Sequence, residues 1–412
     1  MIIFTKEAPI NLSELSNGST ECLTVDENYI TFTCSEVYTL SGLSQRGLLI
    51  SSPETTLNLN GVQITTTGIS TPIIIKPNCA TTINLYSTNS LQDSEQNEKN
   101  SVIYMEYSSR LTISSENRNT EVTNLYLKPS KGKGIYGEKS TNLNINGGVI
   151  LLECTMCTGF INIGKDLIIN NVFIKDSILG EDSNNYFSLK TGGCIKIQSG
   201  IFVFHSIQAE DDILLGPINS NDISSIILDL NIHTVNEGMK AKYIEIYYGQ
   251  INIESEKDSI VSYGDIKIIN SKLKILAGSS VTKSSPFMKN GELTIIGSNL
   301  EIYGTNCIAG DAITNDHASI SYNEIPAPNR INIYMDDQKI ITLEPYGIYI
   351  YFYWTDSQYQ LTQQNEIQIK KNGEIVQSFD DSTCGTRKKQ LNNSKFLKIS
   401  SYLYFFINLL LF

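Results

Sequence analysis

The chain has 412 residues, of which 43 are acidic and 31 basic, giving a formal net charge of −12, and it holds only 10 prolines and 1 tryptophan. That balance argues against nucleic acid and anionic membranes as electrostatic partners, and no basic run offers a phosphate-tracking groove. The hydrophobic share of 41%, rich in Ile, Val, Leu and Tyr, excludes a disordered chain and favours strand over helix.

Residues 1–21 form an N-terminal segment. Its apolar run MIIF is followed at once by Lys6, Glu7 and Pro9, so it shows no signal-peptide core of about 7–15 apolar residues. Either a leader has been lost from the front or the chain stays inside the cell.

From Cys22 the sequence is dense in short alternating strands, such as Ile30–Phe32 and Leu57–Leu59, with turns at Gly42, Gly47 and Gly61. Alternating runs then begin near Ile83, Leu111, Leu143 and Leu167, at intervals of 26, 28, 32 and 24 residues from Leu57. Further starts near Ile195, Ile226, Ile244 and Ile266 follow at intervals of 31, 18 and 22, and a last clear run begins at Leu293. Strands this far apart are not joined by two-residue hairpins, yet no helical stretch connects them. The reading is an all-β solenoid, a single-stranded parallel β-helix over residues 22–312, with the polar stretches 87–100 and 114–124 protruding as loops. Gly148, Gly200, Gly249 and Gly297, with Asn146, Asn170, Asn171 and Asn270, fall where a coil must turn a corner.

Eight cysteines are scattered along the chain. Cys22 and Cys34 flank a short strand and are the best candidates for a disulfide. Cys154 and Cys157 have the spacing of half a zinc site, but no second pair follows, so buried or disulfide-linked cysteines are expected.

Residues 313–380 change rhythm. Lys371-Asn372-Gly373-Glu374 is a hairpin signal between two alternating runs, which predicts a C-terminal antiparallel cap over the open solenoid end. Tyr346, Tyr349, Tyr351, Phe352, Tyr353 and Trp354 read as the packing of that cap rather than as a sugar platform. Residues 381–395 form a polar spacer and 396–412 a hydrophobic tail, either a glycolipid-anchor signal or a short membrane anchor. Asn-x-Ser/Thr triplets stand at Asn11, Asn17 and Asn392.

The block GMKAKYIEIYYGQINIESEKDSI, with Gly238, Lys240, Ala241, Gly249 and Asp258, resembles a family of surface carbohydrate-binding proteins. So do Tyr38-Thr39-Leu40-Ser41-Gly42 and Leu57-Asn58-Leu59-Asn60-Gly61-Val62-Gln63-Ile64 near the N-terminus. The resemblance covers residues 22–310. It implies a right-handed parallel β-helix of pectate-lyase-like architecture, calcium held by acidic side chains on one face, and binding of acidic polysaccharide such as polygalacturonate. Ser259 replaces the family's Gly after Asp258, and Asp-Gly pairs are fewer than in the family pattern.

Acidic groups also recur after core strands. Asp182, Asp211, Asp212, Glu256 and Asp258 stand at similar offsets from Ile169, Ile197 and Ile246, so stacked coils could line them up as a calcium ladder. Calcium there would bridge protein and uronate carboxylates, with Lys240, Lys242, Lys196, Tyr247 and Tyr248 supplying ionic and stacking contacts. A lyase on the same scaffold would use Lys240 as the base beside a calcium-polarised uronate. A hydrolase is the weakest reading, since His205, His233 and His317 lack a Gly-His-Gly setting and no Asn-Thr-Asp triplet occurs. The expectation is a monomeric, non-catalytic, cell-surface binder of acidic polysaccharide, with a polysaccharide lyase or an adhesive solenoid as the alternatives.

Overall fold

The computed structural model describes residues 9–94, 96, 99–115, 123–154, 157–178, 186–217, 228–278, 284–306 and 308, and beyond these the backbone of strands between Ile313 and Ile375. Apart from one 3-10 turn, Leu12–Glu14, every regular element is a strand. Among the described residues no helix is long and apolar enough to cross a membrane. Two compact units, residues 1–250 and 251–412, make up the chain.

The N-terminal unit is a right-handed parallel β-helix, the hand that a twisted strand takes when it crosses back to a parallel neighbour. From Ile73 on each coil lays down three strands, and each strand pairs in parallel with the third strand after it; in the first coils the long strand Glu54–Thr65 spans two faces and pairs with both Ala80–Leu85 and Asn89–Gln92. Arg110–Ser115, Asn124–Lys128 and Lys133–Lys139 thus pair with Asn142–Asn146, Val149–Cys154 and Gly159–Gly164. The coil therefore has three faces, here called first, second and third in that order.

Alternation within each strand drives the winding. On the first face the inward residues Leu57, Ile83, Ile113, Ile145, Ile169, Ile197, Leu215 and Ile246 are register partners from coil to coil. All of them are fully buried. At a strand spacing of about 4.8 Å they form one continuous aliphatic column, each member contributing about 1.5–3 kcal/mol of burial. A coil cannot bury this column alone, so stacking is the source of stability.

The register corrects three expectations. Ile195 is followed on the first face by Ile213, 18 residues on, and only then by Ile244; the run read as a start near Ile226 leads into Leu228–Thr234, a second-face strand. Beyond Ile30–Phe32 the third-face strands went unread; Ser101–Met105, for one, is buried at every position and carries no alternation. Gly148, Gly200 and Gly297 do take positive φ at corners, but the corner beside Gly249 is turned by Tyr248, at φ 50°. At Gly200 a Cβ would lie 2.1 Å from the Val172 carbonyl oxygen, so no other residue fits there. Asn171 and Asn270 adopt the left-handed region, whereas Asn146 and Asn170 end strands and bond side chain to side chain at 3.0 Å.

The N-terminal end is closed by antiparallel pairs of Gly18–Ser19, Leu23–Val25 and Tyr29–Phe32, clipped by the expected Cys22–Cys34 disulfide. Cys154 and Cys157 are also disulfide-linked, while Cys79 and Cys194 are free thiols.

The C-terminal unit repeats the three-faced pattern with parallel pairs between Ile266–Ile269 and Leu293–Ile296, Lys272–Ala277 and Asn299–Gly304, and Ile260–Ser262 and Phe287–Lys289. Pairing then turns antiparallel. Tyr351–Thr355 runs against both Asn299–Gly304 and Ser319–Asn323, and Ile331–Met335, Gln338–Leu343, Ile367–Lys371 and Glu374–Ile375 form an antiparallel sheet in which Lys371 faces Glu374. The hairpin read at Lys371 to Glu374 is present in this sheet. The side chains of the aromatic cluster, the spacer and the tail lie outside the described residues.

Candidate functional site

The outer surface of the third face carries one side chain per coil in a single line. Ile74, Tyr104, Tyr136, Asn162, Lys190, Gln208 and Lys240 are successive register partners. Their strand neighbours turn inward: Ile103 and Met105, Ile161 and Ile163, and Met239 and Ala241 are all fully buried. Alternation thus turns these seven away from the core, apolar and aromatic at one end, amide in the middle, cationic at the other; Ile74 and Tyr104 are nevertheless buried, and the accessible part runs from Tyr136 to Lys240.

Lysines and rings are interleaved along this line. The Tyr104 and Tyr136 rings lie 5.6 Å apart at 34°. Lys99 Nζ sits 4.5 Å from the Tyr104 centroid, Lys133 Nζ 4.8 Å from that of Tyr136, and Lys190 Nζ 5.1 Å from that of Phe187. Lys133 and Phe187 belong to a parallel line in which Gly159 separates them. Glycine leaves that rung without a side chain, and a Cβ there would lie only 3.8 Å from Lys133 Cγ. Burial, and then the neighbouring Lys190, push the Lys133 amine down from its ordinary value. Tyr104 donates its hydroxyl to Glu138, and burial followed by that bond pushes its pKa up strongly. Among the described residues, none of Lys133, Lys190 and Lys240 pairs with a carboxylate. In a chain of net charge −12 this is a local cationic strip beside π surfaces.

The residues singled out from the sequence fall in several places. Lys240 is the cationic end of the third-face line. Lys242 is exposed with its ammonium 5.4 Å from the Tyr243 ring, and Tyr243 is the exposed aromatic of this coil. Tyr247 is a correction: it is buried, donates its hydroxyl to Glu245 at 2.8 Å, and is pushed up to about 12 by burial and that bond, so its ring does not offer a stacking face. Tyr248 is a half-exposed corner residue, and Lys196 is exposed on the first face.

Asp211 and Asp212 are exposed at the corner before the first face. The register partner of Asp212 is Tyr243, and because Ile195 pairs with Ile213 the position on its other side is Cys194. The nearest carboxylate in that line is Asp166, two coils or about 10 Å away, beyond the reach of one ion with ligands at about 2.3–2.6 Å. Burial pushes the Cys194 thiol up, opposed by a hydrogen bond from the Asp212 backbone and reinforced by the charges of Asp212, Asp166 and Asp211. In the C-terminal unit Glu256 is exposed, and Asp258 accepts the Ser285 N–H at 2.6 Å. Asp182 lies outside the described residues. Among the described residues no three His, Cys, Asp or Glu side chains converge on a metal position.

Several of the acids serve the backbone instead. Asp93, Asp166, Asp258 and Asp265 each accept an N–H from the following coil, from Ser130, Cys194, Ser285 and Glu292, at 2.6–3.0 Å. Corner amides have no ladder partner, and these carboxylates satisfy them. Sequence offsets do not separate such a staple from a ligand.

No family model matches the chain, and no curated protein matches it. A solved structure described as "Structure of the polysaccharide lyase-like protein from C. thermocellum, Gadolinium derivative" is similar at 20% identity and a TM-score of 0.36, over 74% of this chain and 97% of that one. The class, a three-faced parallel β-helix with antiparallel ends, rests on the strand pairing itself.

Proposed function

We propose that this β-helix is a non-catalytic carbohydrate-binding protein that holds an acidic polysaccharide along the third face, as the resemblance to surface carbohydrate-binding proteins suggests. The observation that carries the reading is the in-register line from Tyr136 to Lys240, with Lys133 and Phe187 beside it. An extended polymer repeats along its own axis, and a line with one contact per coil repeats in the same way. The half-exposed rings of Tyr136 and Phe187 stack on sugar faces, ammonium groups pair with uronate carboxylates, and Asn162 and Gln208 bond hydroxyls. Lysines in direct contact give an acidic protein a route to an acidic glycan without a bridging ion. Two disulfides accord with an oxidising compartment such as the cell surface.

The test is titration of the full chain with polygalacturonate and with an uncharged polysaccharide, each in calcium and in chelator, while following the ultraviolet absorbance of unsaturated product. Binding of polygalacturonate alone, weakened by salt, unchanged by chelator and without product, is expected. Binding abolished by chelator overturns the lysine reading in favour of a calcium bridge. Accumulating product makes the protein a lyase, with Lys240 as the first base to substitute.

A further inference from the structure

One inward column of the N-terminal unit is interrupted. On the second face Ile64, Leu91, Leu127 and Leu152 stack as register partners, and the next partner is Asp176. Lys175 pairs with Val203, so Phe204 follows Asp176 on the next coil, and Ile232 follows Phe204. A carboxylate thus occupies an interior place held otherwise by leucine, isoleucine and phenylalanine, and its side chain is fully buried. One oxygen, Oδ2, accepts the hydroxyls of Tyr186 at 2.6 Å and of Ser188, and His205 Nδ1 lies 3.4 Å from it. The other, Oδ1, is buried with no hydrogen-bond partner, and the 3.4 Å approach of His205 Nδ1 is a charge contact rather than a hydrogen bond. A carboxylate charge buried in such a place is tolerated only with a countercharge.

His205 is the group that can supply it. Its ring is mostly covered, packs edge-on against Tyr186 at 5.4 Å, and its backbone N–H donates to Ser188 Oγ at 2.7 Å. Ser188 is thereby bonded to both partners, and it belongs to strand Phe187–Thr191, whose outward side chains include Phe187 and Lys190. Among the described residues, the titratable groups facing the imidazole are Asp176 from strand Val172–Ile178 and Tyr186 just before strand Phe187–Thr191. Strand Val149–Cys154 brings Leu152 and the disulfide-bonded Cys154 to this region. Strand Leu228–Thr234 brings Ile232, beside which His233 is exposed; Lys175 is exposed and Lys190 half-exposed on the outer surface.

We propose that the Asp176–His205 pair is a pH-responsive clamp on the third face, holding strand Phe187–Thr191 in its binding register while the imidazole is charged. The inference rests on the binding reading above. An imidazole changes charge between about pH 5 and pH 8. As pH rises through that change the countercharge is lost, Asp176 is left as an uncompensated buried anion, and the strand carrying Phe187 and Lys190 loosens.

The experiment measures affinity of the full chain for polygalacturonate, whose carboxylates stay ionised throughout, at about pH 5.5 and about pH 8. The wild type is expected to bind about fivefold tighter at the lower pH. His205→Gln and Asp176→Asn are expected to remove most of that difference, while the neighbouring His233→Gln keeps it. Lysine deprotonation also weakens binding as pH rises, but it persists in His205→Gln and so sets the baseline. An equal pH ratio in wild type and His205→Gln overturns the clamp. If the wild type binds at neither pH, the binding reading fails and the clamp is judged on the free protein. Its thermal midpoint should then fall more between the two pH values in wild type than in His205→Gln, and an equal fall overturns the clamp as well.

Discussion

The first and third faces of the N-terminal unit both expose regular lines of polar side chains, and they use them in opposite ways. On the first face Thr39, Asn58, Asn84, Ser114, Asn146 and Asn170 share one line. They bond to one another: Asn58 to Thr39 at 3.3 Å, Asn84 to Asn58 at 2.9 Å, Ser114 to Asn84 at 2.6 Å and Asn170 to Asn146 at 3.0 Å. Donors and acceptors are largely consumed within the line, which makes it a seam between coils. On the third face Lys133 and Lys190 meet rings rather than carboxylates, which leaves their N–H groups to a ligand. A repeated polar line is a binding surface only where its bonding capacity is unspent.

Charge reversal on the third face should divide the two faces most sharply. Lys133→Glu with Lys190→Glu is expected to weaken polygalacturonate binding by about 100-fold while barely moving the thermal midpoint. A loss under about threefold in calorimetric titration would move the site elsewhere on the molecule.

Asn84→Ala is the reciprocal change. It deletes two side-chain bonds of the seam and is expected to cost about 1–3 kcal/mol in urea unfolding, with polysaccharide affinity unchanged. If it impairs binding as much as the charge reversal does, the distinction between spent and unspent lines fails.

The smallest effect concerns pH at Lys133. Its folded amine is pushed down by burial and by Lys190, so the charged form is lost at lower pH than for an ordinary lysine. Folding disfavours that charged amine, a destabilising contribution present below the folded value and relieved as pH rises through it toward the ordinary 10.5. Binding should therefore begin to decline on the alkaline side sooner than in Lys133→Arg, which keeps its charge. Identical alkaline profiles for the two proteins would remove Lys133 from the contact set.

Much of this molecule can be read without coordinates. Strict alternation at Ile244, Ile246, Ile266 and Ile268, spaced too far for hairpins and unbroken by helix, leaves stacked coils as the way to bury every apolar face. The Lys371 to Glu374 turn and the pairing of Cys22 with Cys34 follow equally from local chemistry. Tertiary structure decided which outward residues share a line. Tyr104, Tyr136, Asn162, Lys190, Gln208 and Lys240 are separated by 32, 26, 28, 18 and 32 residues, because each coil carries loops of its own length. Equal offsets in sequence therefore do not mean equal angles around the coil, which is why Asp212 meets Cys194 and Tyr243 rather than another carboxylate. Asp176 was hidden for a related reason: alternation fixes which way a side chain points, and only the register shows that this one enters a column of leucine and phenylalanine.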